Sequence, residues 1–435
     1  MIKTATARRR AGDWAGACAA AGFDVDIDLR SVTRIHGRAL TARVRADLLC
    51  LAPDLLRWHL PRVAPDGLLR PGLTMTLARY DTDEYGNGCG KAGPAHLVVR
   101  TAPAWADAGQ RISLALWTES NTGTIGGLHP HPRPNRRYRL DLHRHLWDAD
   151  SSGELRIRSG AAQFDDTGRI DPRLAALAPP GCAVDRWADE AAILLRDQGC
   201  PAGPVLVRAG ARRVVVELPP DGDDPPGLRV VERYPPGLVS ALPILPDAAT
   251  WTLPDLELLR AGAIAADQLH PLVASALEPG YSRDETCCGT ASAGQPRWVE
   301  CRGEQHRIGL VDGVLAALDH DPAEIRREEL LVALTGTPLP CLQAIDRAYR
   351  QPDDISGVRE RLAHGDVAGA LAVVDGLVGP GAALRSGALL DELEAAAQRR
   401  ITYGLFRSGL STADRRIPRE PRRPLRSHPR HATLF

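Results

Sequence analysis

Between Arg297 and Arg350 the turn and cap residues leave the backbone few alternatives. Arg297 to Arg302 alternates as a strand does, Gly303-Glu304 turns the chain, and His306 to Leu310 alternates again. Asp312-Gly313 is a two-residue hairpin signal, and Val314 to Leu318 extends the ladder beyond it. Asp321-Pro322-Ala323-Glu324 then supplies an N-cap, a proline at the first helical position and a glutamate three residues after the cap. The helix so started is expected to bury Ile325, Leu331 and Leu334 and to end at Thr335-Gly336. A second helix, from near Thr337-Pro338, carries Leu339, Leu342, Ile345 and Tyr349. A small β-meander therefore feeds a helix–turn–helix unit.

That stretch also carries Cys301, His306, His320 and Cys341. Cys301 and His306 flank a hairpin turn, and His320 follows the third strand. Two thiolates and two imidazoles make a closed tetrahedral zinc set, which is structural rather than catalytic. The spacing is not that of a Cys-x-x-Cys knuckle, and Cys287-Cys288 is a competing thiol source. A second candidate is the pair His143 and His145, read here on a strand from Arg137 to His145. There an i,i+2 pair would share one face with Asp141 and could chelate a metal.

At 435 residues the chain exceeds one ordinary core. The reading is α+β: an N-terminal helical segment (1–70), an antiparallel β domain (71–160) and a mixed α/β region (161–285). The β-meander and C-terminal helical domain (297–410) follow, and then a disordered, basic Arg/Pro-rich tail (411–435). Helical spacing covers much of 12–60, with Asp28 starting the longest pattern and Gly37 its weak point. Period two takes over in Leu73–Tyr80, His96–Thr101, Arg111–Trp117, Arg137–His145 and Glu154–Arg158. Asp185 to Gln198 is a helix burying Trp187, Ala191, Leu194 and Leu195, and Val205–Val207 pairs with Arg213–Leu218 across Ala209-Gly210. Two stretches echo one another, Gly12-Asp13-Trp14-Ala15-Gly16-Ala17 and Gly365-Asp366-Val367-Ala368-Gly369-Ala370, each a capped turn entering a small-residue helix.

Charge balances to zero, which removes a whole-molecule argument for nucleic acid or an anionic membrane. Of 54 basic residues only Lys3 and Lys91 are lysine, a bias that a GC-rich genome explains without phosphate recognition. Nine cysteines form no even framework and point to a cytoplasmic protein with reduced thiols. Asp13 interrupts any signal-peptide core behind Arg8-Arg9-Arg10, and no apolar run spans a membrane.

Other motifs fail on chemistry. Gly86 to Lys91 lacks the glycine and the hydroxyl residue of a phosphate-binding loop. Asp148, Asp150 and Ser152 begin a calcium loop whose closing position is Ser159, so its bidentate carboxylate is missing. Residues 321–350 hold five acids against four arginines, a poor surface for DNA. The sequence therefore predicts a non-catalytic interaction or regulatory protein with an unknown protein partner. The alternatives are a nucleic-acid-associated regulator, using the helix–turn–helix and the tail, and a metal-dependent enzyme centred on the histidine strand.

Overall fold

The computed structural model describes residues 1–81, 93–119, 129–162, 172–220, 227–278, 280, 297–301, 303–311, 314–321, 323–327, 339–350, 355–378 and 387–410. The fold is α+β, as the sequence predicts, and the chain divides into two compact units. One contains Met1–Trp105 and Arg111–Asp284, the other Ala106–Gln110 and Glu285–Ser411.

The first unit opens with helices α1 (Ile2–Arg10) and α2 (Trp14–Ala20), strand β1 (Phe23–Asp26), and helices α3 (Leu29–Cys50) and α4 (Pro53–His59). Asp28 caps α3 through the amides of Arg30 and Ser31, and Gly37 breaks its helical geometry at φ +85°. A short ribbon, β2 (Arg62–Val63) and β3 (Leu68–Leu69), leads to β4 (Thr74–Tyr80), β5 (Ala95–Thr101) and β6 (Ile112–Trp117). The sheet order is β1-β6-β5-β4, antiparallel except that β1 runs parallel to β6. Alternation buries Leu97, Val99, Ile112 and Leu114 in one cluster with Leu40, Val44 and Leu48 of α3.

Three local expectations are corrected. Phe23–Asp26 is a strand rather than part of a helical stretch, because its ladder partner is β6, far along the chain. Arg137–His145 is not a strand: residues Leu140–Leu142 and Arg144–Leu146 are single 3₁₀ turns. Its alternation has another cause, since Arg137 reaches Asp247, and Arg139 reaches Asp141 and Asp197. Glu154–Arg158 likewise closes into a 3₁₀ turn and helix α5 (Leu155–Arg158).

Helices α6 (Pro172–Leu177) and α7 (Trp187–Asp197) precede the sheet β7 (Gly203–Ala209), β8 (Arg212–Leu218) and β9 (Arg229–Val230). Trp187, Ala191, Leu194 and Leu195 are buried against Val205, Val207, Val216 and Leu218. Helices α8 (Asp247–Thr250), α9 (Pro254–Arg260) and α10 (Pro271–Leu277) follow in this unit.

Among the described residues the second unit consists of the meander β10 (Arg297–Cys301), β11 (Glu304–Val311) and β12 (Val314–Ala317), a helical segment at 323–327, and four helices. These are α11 (Pro340–Arg350), α12 (Ile355–Ala363), α13 (Val367–Val378) and α14 (Ala388–Arg407), the last continuous through Gly404. Its core joins Cys301, Ile308 and Ala317 of the meander to Leu339, Cys341, Ile345, Val358, Leu362, Ala370, Val374 and Leu389. The turn at Asp312-Gly313, residues Leu331 and Leu334, the end at Thr335-Gly336, Cys287-Cys288, the loop Gly86–Lys91 and segment 411–435 lie outside the described residues. Among the described residues no helix is long and apolar enough to cross a membrane.

Candidate metal centre

The hairpin fixes the first two donors. Gly303 turns the chain at φ +85°, a conformation that costs a glycine little. The register then pairs Cys301 with Glu304 and Val299 with His306. Cross-strand partners and i,i+2 neighbours share a face, so Cys301 and His306 stand on the side that carries buried Ile308.

Two further elements deliver the others. Leu318 continues the ladder by donating its amide to the Arg307 carbonyl. Asp319 then accepts from the Arg307 amide at 2.7 Å and from its guanidinium, which directs the chain away from the sheet. His320 follows at once and is buried. Asp321 caps the segment at 323–327 by accepting from the Ala323 amide at 2.9 Å. Cys341 is the second residue of α11 and is held in the core between Leu339 and Ile345.

The Sγ atoms of Cys301 and Cys341 and one ring nitrogen each of His306 and His320 all lie within 4.8 Å of one another. His306 Nδ1 and His320 Nε2 are 2.8 Å apart, with ring centroids at 4.2 Å. Both cysteines are fully buried. Burial first, and then the neighbouring Cys301 thiol, push the Cys341 thiol up to about 11. Zinc with bonds of ~2.3 Å to sulfur and ~2.0 Å to nitrogen has tetrahedral edges of roughly 3.3–3.8 Å, close to the span of these donors. The set fits zinc in donor chemistry, in number and in closure, since four protein ligands fill a tetrahedron.

The other histidine pair is arranged differently. His143 and His145 lie on successive 3₁₀ turns with ring centroids 5.7 Å apart. His143 Nδ1 faces the Arg139 carbonyl at 3.1 Å, and its Nε2 lies 3.1 Å from Glu190. Asp141 is taken by Arg139. The loss of strand geometry therefore removes the shared face on which chelation depended. Glu190 is instead the hub of a buried network, bonded by Arg158 Nε and Nη2 at 2.7 Å each, with Arg186 3.8 Å away. Sequence reading missed this network because its members are joined only by the fold.

A second convergence, Cys50 with Asp148 and Asp150, also brings donors within 4.8 Å. Asp148 is already bonded by Arg144 at 2.7 Å and by the amides of Asp150 and Ser151, so it is a turn carboxylate. Ser152 Oγ bonds the Ala149 carbonyl. The calcium-loop string is a capped turn here.

No protein-family model matches the chain, and neither a curated protein nor a solved structure matches it.

Proposed function

We propose that the protein is a non-catalytic interaction or regulatory protein whose second unit is built around a structural zinc ion. The observation that supports this most is the convergence of Cys301, His306, His320 and Cys341 within 4.8 Å. These four residues come from β10, β11, the turn after β12, and α11. A cation among them ties the meander to the helices at the point where the sequence changes from period two to helical spacing. All four positions of a tetrahedral zinc are then protein ligands, and none is left for substrate or activated water.

Energetics favour this role. The buried apolar side chains of this unit include several small ones, among them Ala317, Ala370 and two cysteines. Modest cores of this kind are commonly supplemented by a metal or a disulfide. Zinc bound by such a set contributes about 10–16 kcal/mol of binding energy, which becomes folding energy when the site exists only in the folded chain.

Elemental analysis of protein purified without chelator is expected to give one zinc per chain. Removing it should expose the amides of β10–β12 and α11 to hydrogen exchange while β4–β6 stay protected. A metal-free protein with β10–β12 already protected would overturn the zinc reading. Reproducible turnover in a broad metabolite screen would overturn the non-catalytic one.

A further inference from the structure

The first unit carries a cleft of 540 Å³ whose lining contains no carboxylate. Its walls include Pro71, Leu73, Pro130 and Pro132, and Arg70, His131 and Arg133 bring positive or protonatable groups to it. Ligand pockets typically enclose ~300–1,000 Å³ and combine apolar walls with a few convergent polar groups. The cleft is preformed. Prolines hold its walls at fixed φ, the Asn135 amide bonds the Thr74 carbonyl of β4 at 2.9 Å, and His129 Nε2 faces the Thr101 carbonyl at 3.0 Å.

Arg70 joins this cleft to a wider basic cluster. Its Nη1 donates to the Tyr138 hydroxyl at 2.9 Å, and Arg137 stands 5.7 Å from the Tyr138 ring. Buried Asp247 faces Arg70, Arg137 and Arg208, yet Arg137 alone takes its carboxylate, with bonds of 2.9 and 2.7 Å. Arg208 of β7 sits directly opposite Arg213 of β8, a like-charge cross-strand pair that disfavours the sheet. Burial, then Arg137 and Arg213, hold the Arg208 pKa down. Among the described residues no carboxylate pairs with Arg133, Arg208 or Arg213. Positive charge is crowded here beyond what the described residues neutralise.

We propose that this cleft and the adjoining arginines bind a nucleotide, free or within a single strand. Phosphate suits the unneutralised arginines, which can bond it bidentately. A flat base suits a slot with proline walls and two guanidinium planes, the surface on which unpaired bases stack. Asn135 gives its side-chain oxygen to the Arg137 amide at 3.0 Å, which leaves its NH₂ to donate to a base edge. This site is separate from the zinc reading and stands without it.

The full-length chain is titrated with AMP, with inorganic pyrophosphate and with a short fluorescein-labelled single-stranded oligonucleotide. Binding of AMP or the oligonucleotide, tighter than pyrophosphate, is the expected result. Arg133→Ala, at an exposed position, and Arg208→Ala, at a half-buried one, should each weaken it roughly tenfold. For the oligonucleotide, each should also reduce the slope of log affinity against log salt by about 0.7. Arg70→Lys, which keeps the charge but loses the fork, tests the site without emptying the Tyr138 contact. An Arg422→Ala/Arg423→Ala variant controls for the basic C-terminal segment. Binding of AMP alone identifies a mononucleotide site, and a marked gain with the oligonucleotide identifies a strand site. No binding, pyrophosphate bound as well as AMP and the oligonucleotide, or loss only in the Arg422/Arg423 variant overturns the proposal.

Discussion

His306 Nδ1 and His320 Nε2 face each other at 2.8 Å, and the remaining nitrogen of each ring is turned toward a carboxylate. Glu304 Oε2 lies 3.8 Å from His306 Nε2, and Glu324 Oε2 lies 3.7 Å from His320 Nδ1. The two rings thus use opposite nitrogens toward the centre, and the outer carboxylates favour that choice of tautomer. Carboxylates hydrogen-bonded to the outer nitrogen of a ligand histidine typically strengthen metal binding by ~10–100-fold, and these two stand within 4 Å of theirs. Glu324→Gln should therefore lower zinc affinity about tenfold, and Glu304→Gln, at an exposed position, by less. Competition against a chromophoric chelator measures both. Equal affinity in wild type and both variants would show that the carboxylates do not orient the rings.

Glu190 is a buried acid in the first unit that is surrounded by cationic and protonatable partners. Arg158 holds it with a fork, His143 lies 3.1 Å away, and Arg186 is 3.8 Å away with its side chain only 6% exposed. These contacts outweigh burial and hold its carboxyl well below the usual range. Glu190→Ala strands the largely buried Arg158 guanidinium without its carboxylate, and breaking a buried pair costs about 3–5 kcal/mol. Urea denaturation should show that loss. A double change, Glu190→Ala with Arg158→Met, should recover part of it, because the stranded charge is then removed as well. A single-variant loss indistinguishable from zero would mean that the network contributes nothing net.

Acid should destabilise the first unit from about pH 6.5 downward. Burial lowers the pKa values of His59, His129 and His145, for His145 well below 6.5, with His143 and Arg158 adding to the effect there. His145 Nδ1 and His59 Nε2 have no hydrogen-bond partner among the described residues. Below 6.5 the unfolded chain takes up these protons before the folded chain does, so stability falls as pH falls. Each such histidine contributes up to ~1.4 kcal/mol per pH unit between its two pKa values. The Glu190 contribution, present above its unfolded value, is lost in the same direction at lower pH. Chemical denaturation from pH 8 to pH 5 tests this, and His145→Phe should flatten the slope. A profile independent of pH over that range would contradict it.

The parts of the fold legible in the sequence are those with local causes. Gly303, the meander register and the Asp321 cap are encoded within a few residues, and they place Cys301, His306 and His320 before any packing is known. Cys341 needed only the helix after them. What escaped the sequence is non-local. Strand β1 is a strand because β6 pairs with it, and Asp24 meets Arg111 across that same ladder. Arg137 to His145 alternates because its arginines reach acids on distant elements, which no count of apolar residues reveals. The basic cleft was illegible for a similar reason, since Arg70, Arg133 and Arg208 lie far apart in a chain with no net charge.

The echo between the two ends of the chain is a structural one. Asp13 accepts from the Gly16 amide at 2.8 Å and from Arg8 Nη1 at 2.8 Å, while its own amide bonds the Arg8 carbonyl at 3.0 Å. Asp366 repeats every contact, with Gly369 and Arg361 Nη1 at 3.0 Å each and the Arg361 carbonyl at 2.8 Å. The glycines preceding them, Gly12 and Gly365, have φ of +76° and +80°. In both corners a Cβ added at the third residue after the cap, Gly16 or Gly369, would come within 2.0 Å of the capping carboxylate. A glycine replaced by alanine inside a helix normally gains ~1 kcal/mol. Here the sign should reverse, because the new methyl group displaces the cap. Gly16→Ala and Gly369→Ala should each lower the melting temperature of their own unit by about 2–4 °C. Asp13→Ala and Asp366→Ala should act in the same direction, and either alanine added to its matching aspartate variant should cost little more. A stabilising Gly16→Ala would show that the carboxylate does not hold this corner.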